Sequence, residues 1–160
     1  MEVSFTDELT SKVDAKGRVS IPAPHRAVLA HGDPACEDGK NPRLVMIHSK
    51  SHEPCLRIFT LEAYEKLRQE ILDMPYGPAR NKKARKLISK ATPLVVDDNG
   101  RVILRKDLRE RFAIGDAAIF VGSVDHLQIW DPEAYEDFYD DDDGEDPFVG
   151  LGESRQVAQG

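Results

Sequence analysis

The chain contains one module twice, and this duplication constrains its fold more than any other feature. The pentapeptide Asp14-Ala-Lys-Gly-Arg18 returns 83 positions later as Asp97-Asp-Asn-Gly-Arg101. A second block, 56–65, returns as 127–136 at an offset of 71. The first copy therefore holds 12 additional residues, which we expect within 31–42. Two blocks that recur in the same order indicate a tandem duplication.

Each copy is predicted to contain four short strands and two helices, which is typical of the α+β class. A strand, a tight turn, a second strand and a brief helix precede two further strands and a closing helix. Thr60 and Asp131 are suitable N-caps for the closing helices, because their oxygens can accept from unpaired N–H groups of the first turn. The strands are expected at 10–13, 18–21, 44–48 and 56–59 in the first copy, and at 94–96, 101–104, 118–121 and 127–130 in the second.

A basic segment separates the two copies. We predict a first repeat at 1–76, a linking helix at 77–92 and a second repeat at 93–139. The linking segment begins with Gly77-Pro78 and carries six Lys or Arg residues. Such side chains can contact phosphates, although a solvated helical face is the more ordinary interpretation of a charge run.

Charge is distributed unevenly along the chain. The formal net charge is −7, but residues 1–92 hold 16 Lys/Arg against 12 Asp/Glu, whereas residues 93–160 hold 6 against 17. The two parts therefore carry +4 and −11. Much of the acidic excess lies in 137–146, and a like-charge block of this kind repels itself, so 140–160 is predicted to be a disordered tail. The average charge thus describes mainly the tail and does not exclude a nucleic-acid ligand.

The repeated pentapeptide has the chemistry of a rigid hairpin turn. Asp14 and Asp97 can accept from backbone N–H groups two or three residues on, and Gly17 and Gly100 suit the positive φ of a bulged hairpin. Basic residues beside such a turn are held at a fixed angle. The residues at these positions are Lys16, Arg18 and Arg101. Arg can contact guanine with two hydrogen bonds, and both residue types can bind phosphates.

The segment Asp14-Ala-Lys-Gly-Arg-Val-Ser-Ile-Pro-Ala resembles the strand-turn-strand signature of the AbrB/SpoVT superfamily of bacterial DNA-binding proteins. Two copies in one chain, the second ending in His126-Leu-Gln-Ile-Trp-Asp-Pro-Glu133, resemble the MraZ family of that superfamily. The resemblance runs from about Phe5 to Phe138. It implies two swapped-hairpin β-barrel halves related by a pseudo-two-fold axis, each with a short helix and a closing helix.

The resemblance also implies a function. Members of that family are cytoplasmic, nucleoid-associated regulators that bind repeated DNA elements upstream of the division and cell-wall gene cluster. They assemble into ring-shaped homo-oligomers. The DNA-contacting role carries over to Lys16, Arg18 and Arg101, and the turn-shaping role carries over to Asp14, Gly17, Asp97 and Gly100.

The second turn departs from this pattern. Asn99 stands where the first turn has Lys16, and Asp98 adds a negative charge. We therefore expect the second turn to bind DNA more weakly than the first, or to serve mainly the fold.

Other functions fit the sequence less well. A zinc site would need ligands from a group of five residues whose spacing matches no compact finger, namely His31, Cys36, His48, His52 and Cys55. The common catalytic and nucleotide-binding motifs are missing, so no enzyme activity, cofactor or small-molecule substrate is expected. No apolar run is long enough to cross a membrane, and the acidic N-terminus does not resemble a secretory signal. The alternative is an antitoxin-type member of the same superfamily, whose main partner would be a toxin.

Overall fold

A computed structural model describes residues 3–139 and 144–152 of the chain. The first copy supplies β1 (Glu8–Lys12), β2 (Arg18–Ser20), α1 (Ala23–His31), β3 (Arg43–Ile47), β4 (Leu56–Thr60) and α2 (Leu61–Leu72). A helix α3 (Pro78–Leu87) connects the copies. The second copy supplies β5 (Ala91–Val95), β6 (Arg101–Ile103), α4 (Lys106–Arg111), β7 (Ala117–Ser123), β8 (His126–Trp130) and α5 (Pro132–Phe138). The α+β class is confirmed.

The two copies exchange their first strands. The main sheet is antiparallel, in the order β1-β7-β8-β4-β3-β5, so β1 pairs with the second copy and β5 pairs with the first. Equivalent residues of the two copies also face each other. Arg57 pairs with Gln128 where β4 meets β8, and Val19 pairs with Val102 where β2 meets β6. Neither copy therefore completes its sheet alone.

The pair β2 and β6 forms a separate two-stranded ribbon over the sheet. Its central valines, Val19 and Val102, are 0% and 3% exposed and belong to a core cluster drawn from both copies. Burial of apolar side chains from both copies in one cluster couples their folding, since the gain is proportional to the area removed from water. The ribbon is thereby attached to the sheet through one of its faces.

Both predicted N-caps of the closing helices are confirmed. The Thr60 hydroxyl accepts from the backbone N–H of Ala63 at 3.1 Å, and Asp131 accepts from that of Ala134 at the same distance. These bonds satisfy donors that have no partner within the helix. The beginning of each closing helix is thus determined locally.

The structure corrects the predicted position of the additional residues. Strand register places Arg43 in the position of Ala117, so the offset between equivalent residues falls from 83 to 74 before β3. It falls to 71 across the β3–β4 hairpin. Nine of the 12 extra residues therefore lie before β3, and three lie in the hairpin. The sequence prediction placed all 12 together because an ungapped comparison cannot detect three additional residues within the hairpin 48–55.

Other boundaries also differ from the sequence predictions. Helix α3 ends at Leu87, and Ala91 already belongs to β5, where it pairs with Ile47.

None of the helices in the described ranges is both long and apolar enough to span a bilayer. The predicted acidic tail begins with residues 140–143, which lie outside the described residues, as do 153–160. In the described part of the tail, Asp146 accepts from the backbone N–H of Phe148 at 2.9 Å.

Candidate nucleic-acid interface

The first turn, residues 14–18, is organised around the carboxylate of Asp14. Its Oδ1 atom accepts from the backbone N–H groups of Lys16 at 3.0 Å and Arg18 at 2.9 Å. The carboxylate thus accepts from residues two and four positions further along the chain, whereas the sequence predicted two or three. The difference arises because the bulge at Gly17 brings the N–H of Arg18 back toward the carboxylate. Gly17 has a φ of +84°. The hydrogen bonds of the aspartate and the positive φ of the glycine together define the shape of the turn.

The same carboxylate also holds the arginine side chain. Arg18 Nε donates to Asp14 Oδ2 at 2.6 Å, which leaves the two terminal guanidinium nitrogens without a hydrogen bond in the described part of the chain. The Arg18 side chain is 38% exposed, and Lys16 beside it is exposed. The arginine is therefore restricted at Nε while its outer donors remain accessible.

The second turn, residues 97–101, repeats the backbone geometry with a looser side-chain contact. Asp97 Oδ1 accepts from the N–H groups of Asn99 at 2.8 Å and Arg101 at 2.9 Å, and Gly100 has a φ of +77°. However, Arg101 Nε lies 3.4 Å from Asp97 Oδ2 and does not form a hydrogen bond with it. The two turns thus share a backbone but hold their arginines differently.

Hydrogen bonds from the backbone keep both aspartates ionised. The N–H of Arg18 is the main cause of a lowered pKa for Asp14, and the N–H of Arg101 has the same effect on Asp97. Hydrogen bonding to the charged form favours that form. Both carboxylates therefore remain acceptors throughout the neutral pH range.

Two arginines at equivalent positions of the two copies brace the turns, each from the opposite copy. Arg26 of α1 donates to Ile21 O at 2.5 Å and lies over Gly100. Its counterpart Arg109 of α4 donates to Leu104 O at 2.9 Å and lies over Gly17. The signal for this role was present in the repeat, because the arginine is retained in both copies at the same offset of 83.

Backbone hydrogen bonds complete the exchange between the copies. The N–H of Ile21 donates to Gly100 O at 2.9 Å, and that of Leu104 donates to Gly17 O at 2.8 Å. A methyl group at Gly17 would overlap the backbone oxygen of Leu104. Gly17 is therefore required both by its φ and by the close approach of the other copy's backbone, whereas the atoms nearest to Gly100 belong to the Arg26 side chain.

The ribbon brings the two turn arginines to one face. Arg18 pairs with Ile103, and Ser20 pairs with Arg101. Side chains alternate along a strand, so these four residues lie on the face opposite the buried valines. Arg18 and Arg101 are then diagonal neighbours, a relation that places residues about 7–8 Å apart. The structure thus brings together two of the three predicted DNA-contacting residues, and Lys16 stands just beyond the first of them.

The basic helix α3 packs against α2 and has no buried residue. Arg80 is engaged within the chain, since its Nε donates to Ile71 O at 3.3 Å and its guanidinium lies 4.4 Å from the ring centroid of Tyr76. Lys82, Lys83 and Lys86 are exposed. These side chains form a solvated helical face.

The candidate zinc ligands are not gathered into a site. Cys55 is fully buried, and Cys36 donates through Sγ to Lys40 O at 3.2 Å. Within the described ranges, no three His, Cys, Asp or Glu side chains are grouped in a way that could hold a metal ion.

Comparison with known proteins agrees with the resemblance seen in the turns. Residues 5–85 and 87–149 each match the family model described as "MraZ protein, putative antitoxin-like". The chain is similar to the transcriptional regulator MraZ of Ruegeria pomeroyi, with 38% identity over 133 residues that cover 82% of this chain and 80% of that protein.

Similar proteins occur in other bacteria. The transcriptional regulator MraZ of Azorhizobium caulinodans is 36% identical over 132 residues, which cover 82% of this chain and 79% of that protein. That of Nitrosococcus oceani is 34% identical over 136 residues, which cover 82% and 84%. With both repeats matched and such identity over most of its length, this chain belongs to the MraZ family.

Proposed function

We propose that this chain is a sequence-specific DNA-binding transcriptional regulator that acts on repeated elements upstream of the division and cell-wall gene cluster. The relatives are named transcriptional regulators, and this supports the regulatory role. One structural observation supports DNA as the ligand: Arg18 and Arg101 emerge on one face of the β2–β6 ribbon, each beside a turn held by hydrogen bonds.

The proposed mechanism assigns different parts to the basic residues. Arg18 offers its outer guanidinium donors to a guanine edge, where an arginine forms two hydrogen bonds. Lys16, at the exposed tip of the first turn, contacts a phosphate. Arg101 makes a weaker contact from the second turn, beside the acidic Asp98. Because Asp14 already orders Arg18, less side-chain entropy is lost when DNA binds.

Assembly is part of the proposal. A few basic residues give non-specific dissociation constants of about 10⁻⁴–10⁻⁶ M at physiological salt. A ring-shaped homo-oligomer of swapped-hairpin halves would present several turns together, and avidity could then strengthen binding by about 10²–10⁴. Such a ring would act in the cytoplasm, at the nucleoid, on elements spaced to match its turns. A DNA with a single element should bind far more weakly than one with several, and equal affinity for both would contradict the assembly.

The decisive experiment measures binding of Arg18→Ala and Arg101→Ala to a duplex from the region directly upstream of the chain's own gene. Loss of a bidentate base contact costs about 1–3 kcal/mol and relaxes sequence preference. We expect the larger loss for Arg18→Ala. Arg68→Ala is the control, because Arg68 pairs with Glu65 at 2.8 Å on the exposed surface of α2. If both turn variants bind like the wild type, the turns are not the DNA-binding site.

The family description also names an antitoxin-like role. In that case the main partner would be a toxin protein. Purification of the chain from its own cells should then recover a small protein in a fixed stoichiometry. Deletion of the gene for the chain should make that small protein toxic to the cell. Recovery of the chain with DNA and without such a protein favours the regulator.

A further inference from the structure

The second turn carries less positive charge than the first. It contains two acids and one base, Asp97, Asp98 and Arg101, whereas the first turn contains one acid and two bases. Asp98 takes the position of Ala15, and Asn99 takes that of Lys16. A phosphate that approached the second turn would therefore meet a net negative charge from the turn itself.

The insert loop, residues 32–42 of the first copy, lies against this second turn. Asn41 Nδ2 donates to Asp98 Oδ1 at 2.9 Å and to Val96 O at 3.0 Å. The N–H of Val96 in turn donates to Pro42 O at 2.9 Å. The loop thus binds both the backbone that enters the turn and the acidic side chain that distinguishes it from the first turn.

A buried carboxylate keeps the insert loop in place. Asp33 is 4% exposed and accepts from the N–H groups of Ala35 at 3.1 Å and Arg43 at 2.9 Å. The Arg43 guanidinium adds two further bonds to it, at 2.7 and 3.2 Å. The N–H of Lys40 donates to Asp38 Oδ1 at 3.0 Å. The backbone at Lys40 is therefore ordered by the loop's own hydrogen bonds.

Lys40 lines the same cleft as the tip of the second turn. The cleft has a volume of about 490 Å³ and is bordered by Arg26, Lys40, Asn41 and the residues 97–100. Lys40 is exposed, and its ammonium group forms no ion pair within the part of the chain that the structure describes. A base from the insert thus stands beside the position at which the second turn has lost its own.

We propose that Lys40 is the phosphate-contacting side chain of the second turn, supplied by the insert of the first copy in place of the lysine that Asn99 replaces. The partner is the sugar-phosphate backbone of double-stranded DNA, so this inference rests on the proposed function. The two turns of one chain then each present one lysine and one arginine. A phosphate contact positions the protein without reading the sequence.

The test compares Lys40→Gln with Lys50→Gln on the upstream duplex and on a scrambled duplex. Lys50 is an exposed lysine in the β3–β4 hairpin, at the opposite end of β3 from the second turn. One phosphate contact changes the slope of log K against log salt by about 0.9, which corresponds to about eightfold in affinity at about 0.1 M salt. We expect Lys40→Gln to lose this amount on both duplexes for each second turn engaged, and Lys50→Gln to lose nothing.

Two further variants complete the test: one that should restore the phosphate contact, and one that tests the proposed function separately. Adding Asn99→Lys to Lys40→Gln should restore the slope, because it returns the basic residue to the turn. The unfolding midpoint should stay unchanged, since Lys40 takes part in the hydrogen bonds of the loop through its backbone N–H and carbonyl groups and not through its ammonium group. Wild-type affinity and slope for Lys40→Gln, or an equal loss for Lys50→Gln, would overturn the proposal. If Arg18→Ala still weakens binding in that case, the proposed function stands; if no variant does, it fails as well.

Discussion

Replacing Gly17 by alanine tests how strongly the exchange between the copies depends on one position. The residue has a φ of +84°, and an alanine there costs about 1–2 kcal/mol in the left-handed region. The new methyl group would also overlap Leu104 O, an atom that accepts from Arg109. Moving the chains apart endangers the hydrogen bond from Leu104 N to Gly17 O, which contributes about 0.5–1.5 kcal/mol. We expect a total destabilisation of about 2–4 kcal/mol.

Three other glycines separate the two causes. Gly39 has a φ of +77° but no neighbour within 4 Å, so Gly39→Ala should lose about 1 kcal/mol from backbone strain alone. Gly115 has neither feature, and its replacement should be neutral or stabilise by up to about 1 kcal/mol. Gly100→Ala should be intermediate, because the nearest atom is Arg26 Nη1 at 2.7 Å, at the end of a flexible side chain.

The assay is equilibrium urea unfolding of the four variants and the wild type at one fixed protein concentration, since self-association adds to apparent stability. The slopes should remain equal and the midpoints should fall in the order Gly115, Gly39, Gly100, Gly17. With a slope of about 1–3 kcal/mol per molar, the Gly17 variant should lose on the order of 1 M in midpoint. A Gly17→Ala variant as stable as Gly39→Ala would show that the contact with Leu104 does not matter.

Three further outcomes follow from the structure. Arg43 lowers the pKa of Asp33 from 3.8 to about 2. The ionised Asp33 therefore contributes fully to the free energy of unfolding above pH 3.8, and this contribution is lost as the pH falls toward 2. The stability difference between wild type and Asp33→Asn, on the order of 2 kcal/mol, should shrink over that range in urea titrations, whereas a constant difference would contradict the assignment. In the wild-type background, Asn99→Lys should strengthen binding to a scrambled duplex and make the affinity depend more steeply on salt. Unchanged binding would show that the second turn does not contact DNA. Burial raises the pKa of the Cys55 thiol to about 12, so a thiol reagent should modify the half-buried Cys36 in the native state and reach Cys55 only on unfolding.

The sequence alone was sufficient to predict the features that depend on residues close together along the chain. The caps at Thr60 and Asp131 and the two turns rest on hydrogen bonds that span no more than four positions. A repeat of the turn also indicated the duplication and the family. These features are readable because a short polar side chain or a glycine decides them within one turn of chain.

The tertiary structure decided which copy each strand joins. β1 could have closed on its own copy, since its alternating pattern fits any antiparallel neighbour; it pairs with β7 instead, more than 100 residues away. The same exchange places Arg26 over Gly100 and the insert loop beside Asp98. The duplicated turn therefore determined the local shape of the site. In contrast, the arginines that brace the turns, and the position of Lys40 beside the second turn, depend on burial of the apolar faces of both copies in one core. This is a long-range effect that no local sequence pattern records.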